Sequence, residues 1–167
     1  MKVFKFGGAS LRTAAGIRNV GKILGQSERP LLIVVSAMGK TTDMLERVQQ
    51  AFQQTTSYKT QLYESKNYHY QIIDELFQEK APVLLAVNLL FEQLEKDLHL
   101  KEDFDLVYDQ VVSKGELISS VIVYYHLIQL QLPAYWLDAR TCIETDNTFR
   151  EGKVDWEKTQ ANILRIH

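Results

Sequence analysis

A lysine stands two residues before a pair of glycines in the segment KFGGAS (5–10), close to the start of a chain of 167 residues. Glycines carry no Cβ, so a phosphate can approach the backbone there, and the amide groups at the head of a following helix favour an anion. The Lys5 ammonium can reach the same oxygens over Gly7 and Gly8, whereas a surface lysine beside an ordinary turn is the competing reading. A second segment, SAMGKTTD (36–43), presents hydroxyls at Ser36, Thr41 and Thr42 with Asp43 beside them. Gly39, Lys40 and Thr41 imitate the end of a P-loop, but that motif needs glycine where this chain has Val34. Helix capping by the hydroxyls is the plainer alternative. The third candidate is Glu116, which follows Gly115 inside an apolar run. Facing a crevice, its carboxylate suits a substrate ammonium; facing water, it merely solvates a helix.

Strands and helices must position these groups. KVFKF alternates polar and apolar side chains as a strand does, and the glycines break it before LRTAAGIRNVGKIL, where Leu11, Ala15, Val20 and Leu24 fall near helical spacing. Ser10 is placed to cap that helix. PLLIVVSAMG repeats the order, its run of Leu31 to Val35 reading as a strand buried on both faces. The helix after it gathers Met44, Leu45, Val48 and Phe52 on one face. Turns at the carboxyl ends of neighbouring parallel strands line one crevice, so the two candidate sites would become one. From about residue 58 to 100 the pattern is helical, with Pro82 opening the second helix of a pair that packs on the sheet's flank or projects from it. FDLVYDQVVSKGELISSVIVYYHLIQL is helical nearly throughout, Gly115 marking a break or a close approach. PAYWLDAR predicts a third strand, and VDWEKTQANILRIH a helix that runs on to His167 with no closing signal.

Composition narrows the partners. The chain is 46% hydrophobic and 24% charged with a net charge of -2, its basic residues scattered among acidic ones, which argues against nucleic acid as a main partner. Cys142 is a lone cysteine, and His69, His99, His126 and His167 lie too far apart for zinc spacing, which fits a reducing cytoplasm and no metal site. The apolar stretch LISSVIVYYHLIQL is interrupted and too short to span a bilayer, so no membrane role is expected.

Taken in order, KFGGAS, VVSAMGKTTDML, SKGELIS and YWLDAR followed by ETDNTF resemble the aspartate kinases of the amino-acid kinase superfamily. The resemblance implies an α/β fold, a three-layer αβα sandwich around a mainly parallel sheet. It implies ATP-dependent phosphorylation of the L-aspartate side-chain carboxylate to 4-phospho-L-aspartate, the first step towards lysine, threonine and methionine, with Mg2+ accompanying the nucleotide. By the same resemblance Lys5 is the catalytic, charge-stabilising lysine, and Lys5, Phe6, Gly7, Gly8 and Ser10 form the ATP phosphate segment. Ser36, Thr42 and Glu116 hold aspartate, Glu116 through its α-ammonium group. SKGELIS argues against relatives acting on glutamate, carbamate or a nucleotide.

Departures from the family pattern are Ala9, where threonine is common, and Asp43, where asparagine is. The family continues into a glycine-rich GRGGSD-type motif, nucleotide-base contacts and regulatory ACT domains, none of which occurs in residues 1–167. The expectation is therefore the amino-terminal part of a kinase domain with a helical excursion at about 58–100, inactive alone and drawn from a homo-oligomeric parent. A non-catalytic module that binds aspartate or a partner subunit is the alternative.

Overall fold

The computed structural model describes residues 1–54 and 57–166; His167 lies outside them. Strands β1 (Lys2–Phe6) and β2 (Leu31–Val35) pair in parallel, in a register that sets Lys2 against Leu31 and Phe6 against Val35. The connection between them is α1 (Ala14–Gly25), and α2 (Thr41–Gln53) follows β2. This is the expected repeat of strand, turn and helix. Phe4, Phe6, Leu31, Ile33 and Val35 pack against the helical core, because alternate residues of a strand share a face.

The other face of the sheet is open. Leu32 is 42% and Val34 45% exposed, alongside Val3 and Lys5, so β2 is not covered on both sides as its apolar run suggests. Segment 132–138 corrects a second expectation. It pairs with no strand, and among the described residues the sheet is two-stranded. Its hydrogen bonds go instead to α6 and to the end of the loop before β2: Trp136 Nε1–H donates to Ser120 Oγ at 2.9 Å, and Arg29 Nη1 to the Pro133 carbonyl at 3.3 Å.

Thr13, not Ser10, caps α1; its extended backbone lets Oγ1 accept from the Gly16 N–H at 3.2 Å. Two tight turns, closed by Ser10 N–H to Gly7 O and Leu11 N–H to Gly8 O, occupy the residues that the sequence assigns to the helix start. The buried stripe consequently runs through Ala14, Ile17, Val20 and Leu24, leaving Ala15 outside while Leu11 is buried ahead of the helix. In α2, Leu45 and Val48 are fully buried and Met44 and Phe52 half-buried.

Helices α3 (Tyr58–Leu76) and α4 (Ala81–Leu98) do not project. Helix α3 packs along α2 and touches α1, while α4 lies against α5 (Phe104–Val112) and α6 (Lys114–Gln129). Pro82 opens α4 as its sequence position implies. The long helical run breaks at Ser113, which caps the end of α5 and the start of α6. Residues Phe104–Gln129 together are long and apolar enough to cross a membrane by length and composition, but 61% of an 18-residue stretch of them is buried inside this fold. A short 3-10 turn (Ala139–Thr141) and α7 (Trp156–Ile166) complete the order.

Candidate active site

Parallel pairing brings both glycine-containing turns to the carboxyl end of the sheet. The Ser36 N–H donates to Phe6 O at 3.0 Å, and beyond the strand ends, two residues past β1 and four past β2, the Gly39 N–H donates to Gly8 O at 3.0 Å. The turns are thereby closed on each other. A Cβ on Gly8 would stand 2.5 Å from the Ala37 carbonyl oxygen and 3.2 Å from that of Gly39, so glycine at position 8 is a packing requirement of this joint. Lys5 is exposed on the open face, its Nζ folded to within 3.5 Å of the point where a Gly7 Cβ would be. Its ammonium thus hangs over the first turn. Ser10 is exposed, with its amide already spent on Gly7 O.

Glu116 comes to the same place from 79 residues away: the Ala37 N–H donates to its Oε1 at 3.3 Å. The approach depends on Gly115, where an added Cβ would lie 3.0 Å from Ala37 Cβ and 3.2 Å from Thr41 Cγ2. Gly115 is therefore the close approach that its position in the run suggested, two residues beyond the helix break at Ser113. Ser119, one turn along α6, donates its hydroxyl to Ser36 O at 2.7 Å. Helix α6 thus grips the second turn at both Ser36 and Ala37. Thr42 is half-buried in the first turn of α2.

Sequence reasoning gave no site role to Thr41 and did not single out Tyr68, and it weighed His69 only for zinc spacing, yet these residues back the second turn. Thr41, rather than Thr42, is the fully buried hydroxyl, standing 2.6 Å from Met38 O and 3.2 Å from His69 Nε2. His69 Nδ1 is 2.7 Å from Ser65 O, which assigns the ring proton to Nδ1 and leaves Nε2 to accept. Burial drives its pKa down to about 4, the Ser65 hydrogen bond opposing. Tyr68 donates its hydroxyl to Arg12 O at 2.8 Å and closes over Gly39; burial raises its pKa and the Arg12 charge opposes. The usable signal is the spacing of Leu62, Ser65, His69, Ile72, Ile73 and Leu76, a histidine on the buried stripe of a helix.

This geometry sets the Lys5 ammonium over the first turn and the Glu116 carboxylate against the second. Among the described residues no group of three or more His, Cys, Asp or Glu side chains could hold a metal ion, so these residues supply no magnesium cage. A groove of about 510 Å³ lined by Asp105, Phe149, Arg150 and Glu151 contains none of the turn residues. There Arg150 lies 4.5 Å from the Tyr108 ring centre, and its amide donates to Asp109 Oδ2 at 2.8 Å, tying the segment after ETDNTF to α5.

Comparison with known proteins agrees with this architecture. The chain is 33% identical over 153 residues to the aspartokinase of Chlamydia trachomatis, an alignment covering 92% of this chain and 34% of that protein. It is 34% identical over 149 residues to the chloroplastic bifunctional aspartokinase/homoserine dehydrogenase 2 of Zea mays, covering 83% and 16%. It spans about a third or less of the length of these relatives. In fold it superposes on E. coli aspartokinase III in complex with lysine and aspartate with a TM-score of 0.88 at 20% identity, over 99% of this chain and 37% of that one. The helices with a small parallel sheet are thus an incomplete αβα amino-acid kinase fold. The sequence profile of the amino acid kinase family matches residues 1–165, and the chain belongs to that family.

Proposed function

We propose that residues 1–167 form the amino-terminal part of an aspartate kinase domain and contribute the phosphate turn and the ammonium-binding side of its active site. The observation that carries this reading is the convergence of the segments around Gly8, Ala37 and Glu116 at one end of the sheet, through the Gly8–Gly39 and Ala37–Glu116 hydrogen bonds. It is supported by relatives described as aspartokinases, and by the aspartate and ADP named in the complex of E. coli aspartokinase III.

In this reading ATP lies with its terminal phosphates over Phe6, Gly7, Gly8 and Ser10, and L-aspartate lies between Ser36, Thr42 and Glu116. An oxygen of the side-chain carboxylate attacks the γ-phosphorus, the bond from that phosphorus to the bridging oxygen breaks, and ADP leaves with 4-phospho-L-aspartate formed. The carboxylate is already ionised, so no proton has to be removed. Lys5 neutralises charge as it moves onto the leaving phosphate, and Glu116 fixes the α-ammonium so that the carboxylate is in line. Magnesium would accompany the nucleotide; no step here is assigned to it. The parent enzyme is read as cytoplasmic and homo-oligomeric.

A second reading, a non-catalytic module for aspartate or a partner subunit, draws on the exposed Val3, Leu32 and Val34. Trapping the acyl phosphate separates the two. The full-length polypeptide supplied with ATP, magnesium, L-aspartate and hydroxylamine is expected to yield aspartyl hydroxamate. No hydroxamate from that polypeptide would favour the binding module.

A further inference from the structure

Two residues before Glu116, α6 begins with a buried ion pair that the reaction does not use. Lys114, the first residue of α6, has a side chain 1% exposed, and its Nζ is 2.5 Å from Asp97 Oδ2, itself 7% exposed. The same Nζ donates to Gln110 O at 3.0 Å, and Gln93 Nε2–H donates to Asp97 Oδ1 at 2.8 Å. A cation at a helix N-terminus and a carboxylate at a helix C-terminus are each misplaced with respect to their own helices. Here they are exchanged. The Lys114 ammonium reaches the last turns of α4 and α5, where carbonyl ends carry partial negative charge, and Asp97 answers it from α4.

An apolar pair of similar size would fill this space without the cost of burying two charges, so stability alone is a weak reason for the pair. Dispersion contacts have little direction, whereas the ammonium makes directed bonds to a carboxylate and a carbonyl. Those bonds fix the rotation of the first turn of α6. The next residue, Gly115, abuts Ala37 and Thr41, and the one after it, Glu116, accepts the Ala37 N–H. The field of the pair also reaches the segment after α6: Asp138, held low chiefly by hydrogen bonding from Arg140, is lowered further by the Lys114 charge.

We propose that Asp97 and Lys114 are positioning residues that set where the Glu116 carboxylate stands against the 36–42 turn, and so how a substrate ammonium is gripped there. The second half of this inference rests on the proposed aspartate site; the first half does not.

Nuclear magnetic resonance of the 167-residue chain tests the positioning role without catalysis. The double variant Lys114→Met with Asp97→Leu removes both charges together, leaving none buried unpaired. Hydrogen exchange at the Ala37 amide is expected to accelerate by about tenfold or more while the rest of α6 stays protected. Glu116→Gln should shift the Ala37 amide resonance in the parent chain but not in the double variant, the signature of a lost coupling. Asp97→Glu keeps both charges and lengthens one arm by a methylene, so it reports on the pair even if the double variant fails to fold; it too should move the Ala37 resonance. Unchanged exchange in the double variant, or an unmoved Ala37 resonance in Asp97→Glu, overturns the proposal. In the full-length polypeptide the double variant should raise the KM for aspartate by about tenfold or more and leave that for ATP unchanged. Loss of the Ala37 coupling with an unaltered aspartate KM would keep the positioning role and instead remove Glu116 from the substrate site.

Discussion

Lys5 and Gly8 make different kinds of contribution to the same turn. Lys5 is exposed and packs against little, so its removal should leave the fold alone and act on the reaction. In the full-length polypeptide Lys5→Ala is expected to lower kcat by about 10²–10³, the usual cost of losing one group that stabilises developing charge, with little change in the KM for aspartate. A rise in KM at constant kcat would make Lys5 a ground-state contact instead. Gly8 is the reverse case, since a methyl group there meets the Ala37 carbonyl at 2.5 Å and has no flexible neighbour to displace. Gly8→Ala should destabilise the chain by about 1–3 kcal/mol in urea unfolding as the two turns are forced apart. A loss below about 0.5 kcal/mol would mean that the joint is looser than its hydrogen bonds imply.

Helix α3 couples the candidate site to pH through His69. Its pKa is about 4 in the folded chain, against about 6.5 for a free imidazole, because burial disfavours the charged ring. Between these values the unfolded chain binds more protons than the folded one, so stability falls as pH drops from about 6.5 to about 4 and levels off below. The full loss is about 3 kcal/mol for this residue. His126, lowered by burial and then by the Arg18 charge, adds to it in the same direction. Urea midpoints measured across this range should decline, and His69→Asn should flatten the decline; a midpoint independent of pH would contradict the buried neutral imidazole. This helix also marks what could be read from the sequence. KFGGAS, SAMGKTTD and SKGELIS were legible because each joins a backbone requirement to a chemical group within a few residues. The roles of Tyr68 and His69 were not, since they depend on α3 folding back along α2, and apolar periodicity predicts a buried face without naming what it meets. The third strand failed for a related reason. PAYWLDAR has strand composition, but a strand needs a neighbour's hydrogen bonds, which composition cannot supply.

At the scale of the molecule, the proposed function makes the chain one side of a site. Val3 is 60% exposed on the open sheet face, and α7 leaves Trp156 75% and Leu164 68% exposed, with Thr159 its sole buried residue. These apolar surfaces fit a chain that spans about a third of its aspartokinase relatives. The family motif expected to supply a cation for the substrate carboxylate does not occur in residues 1–167. The chain alone is therefore expected to form no acyl phosphate, and robust hydroxamate formation by it would show that the machinery assigned to that motif is not essential. The most direct measurement is hydroxamate formation by the full-length polypeptide from ATP and L-aspartate, compared with its Lys5→Ala variant at matched folding. The account predicts a product that depends on both aspartate and Lys5; absence of product with aspartate, or normal turnover by Lys5→Ala, would contradict it.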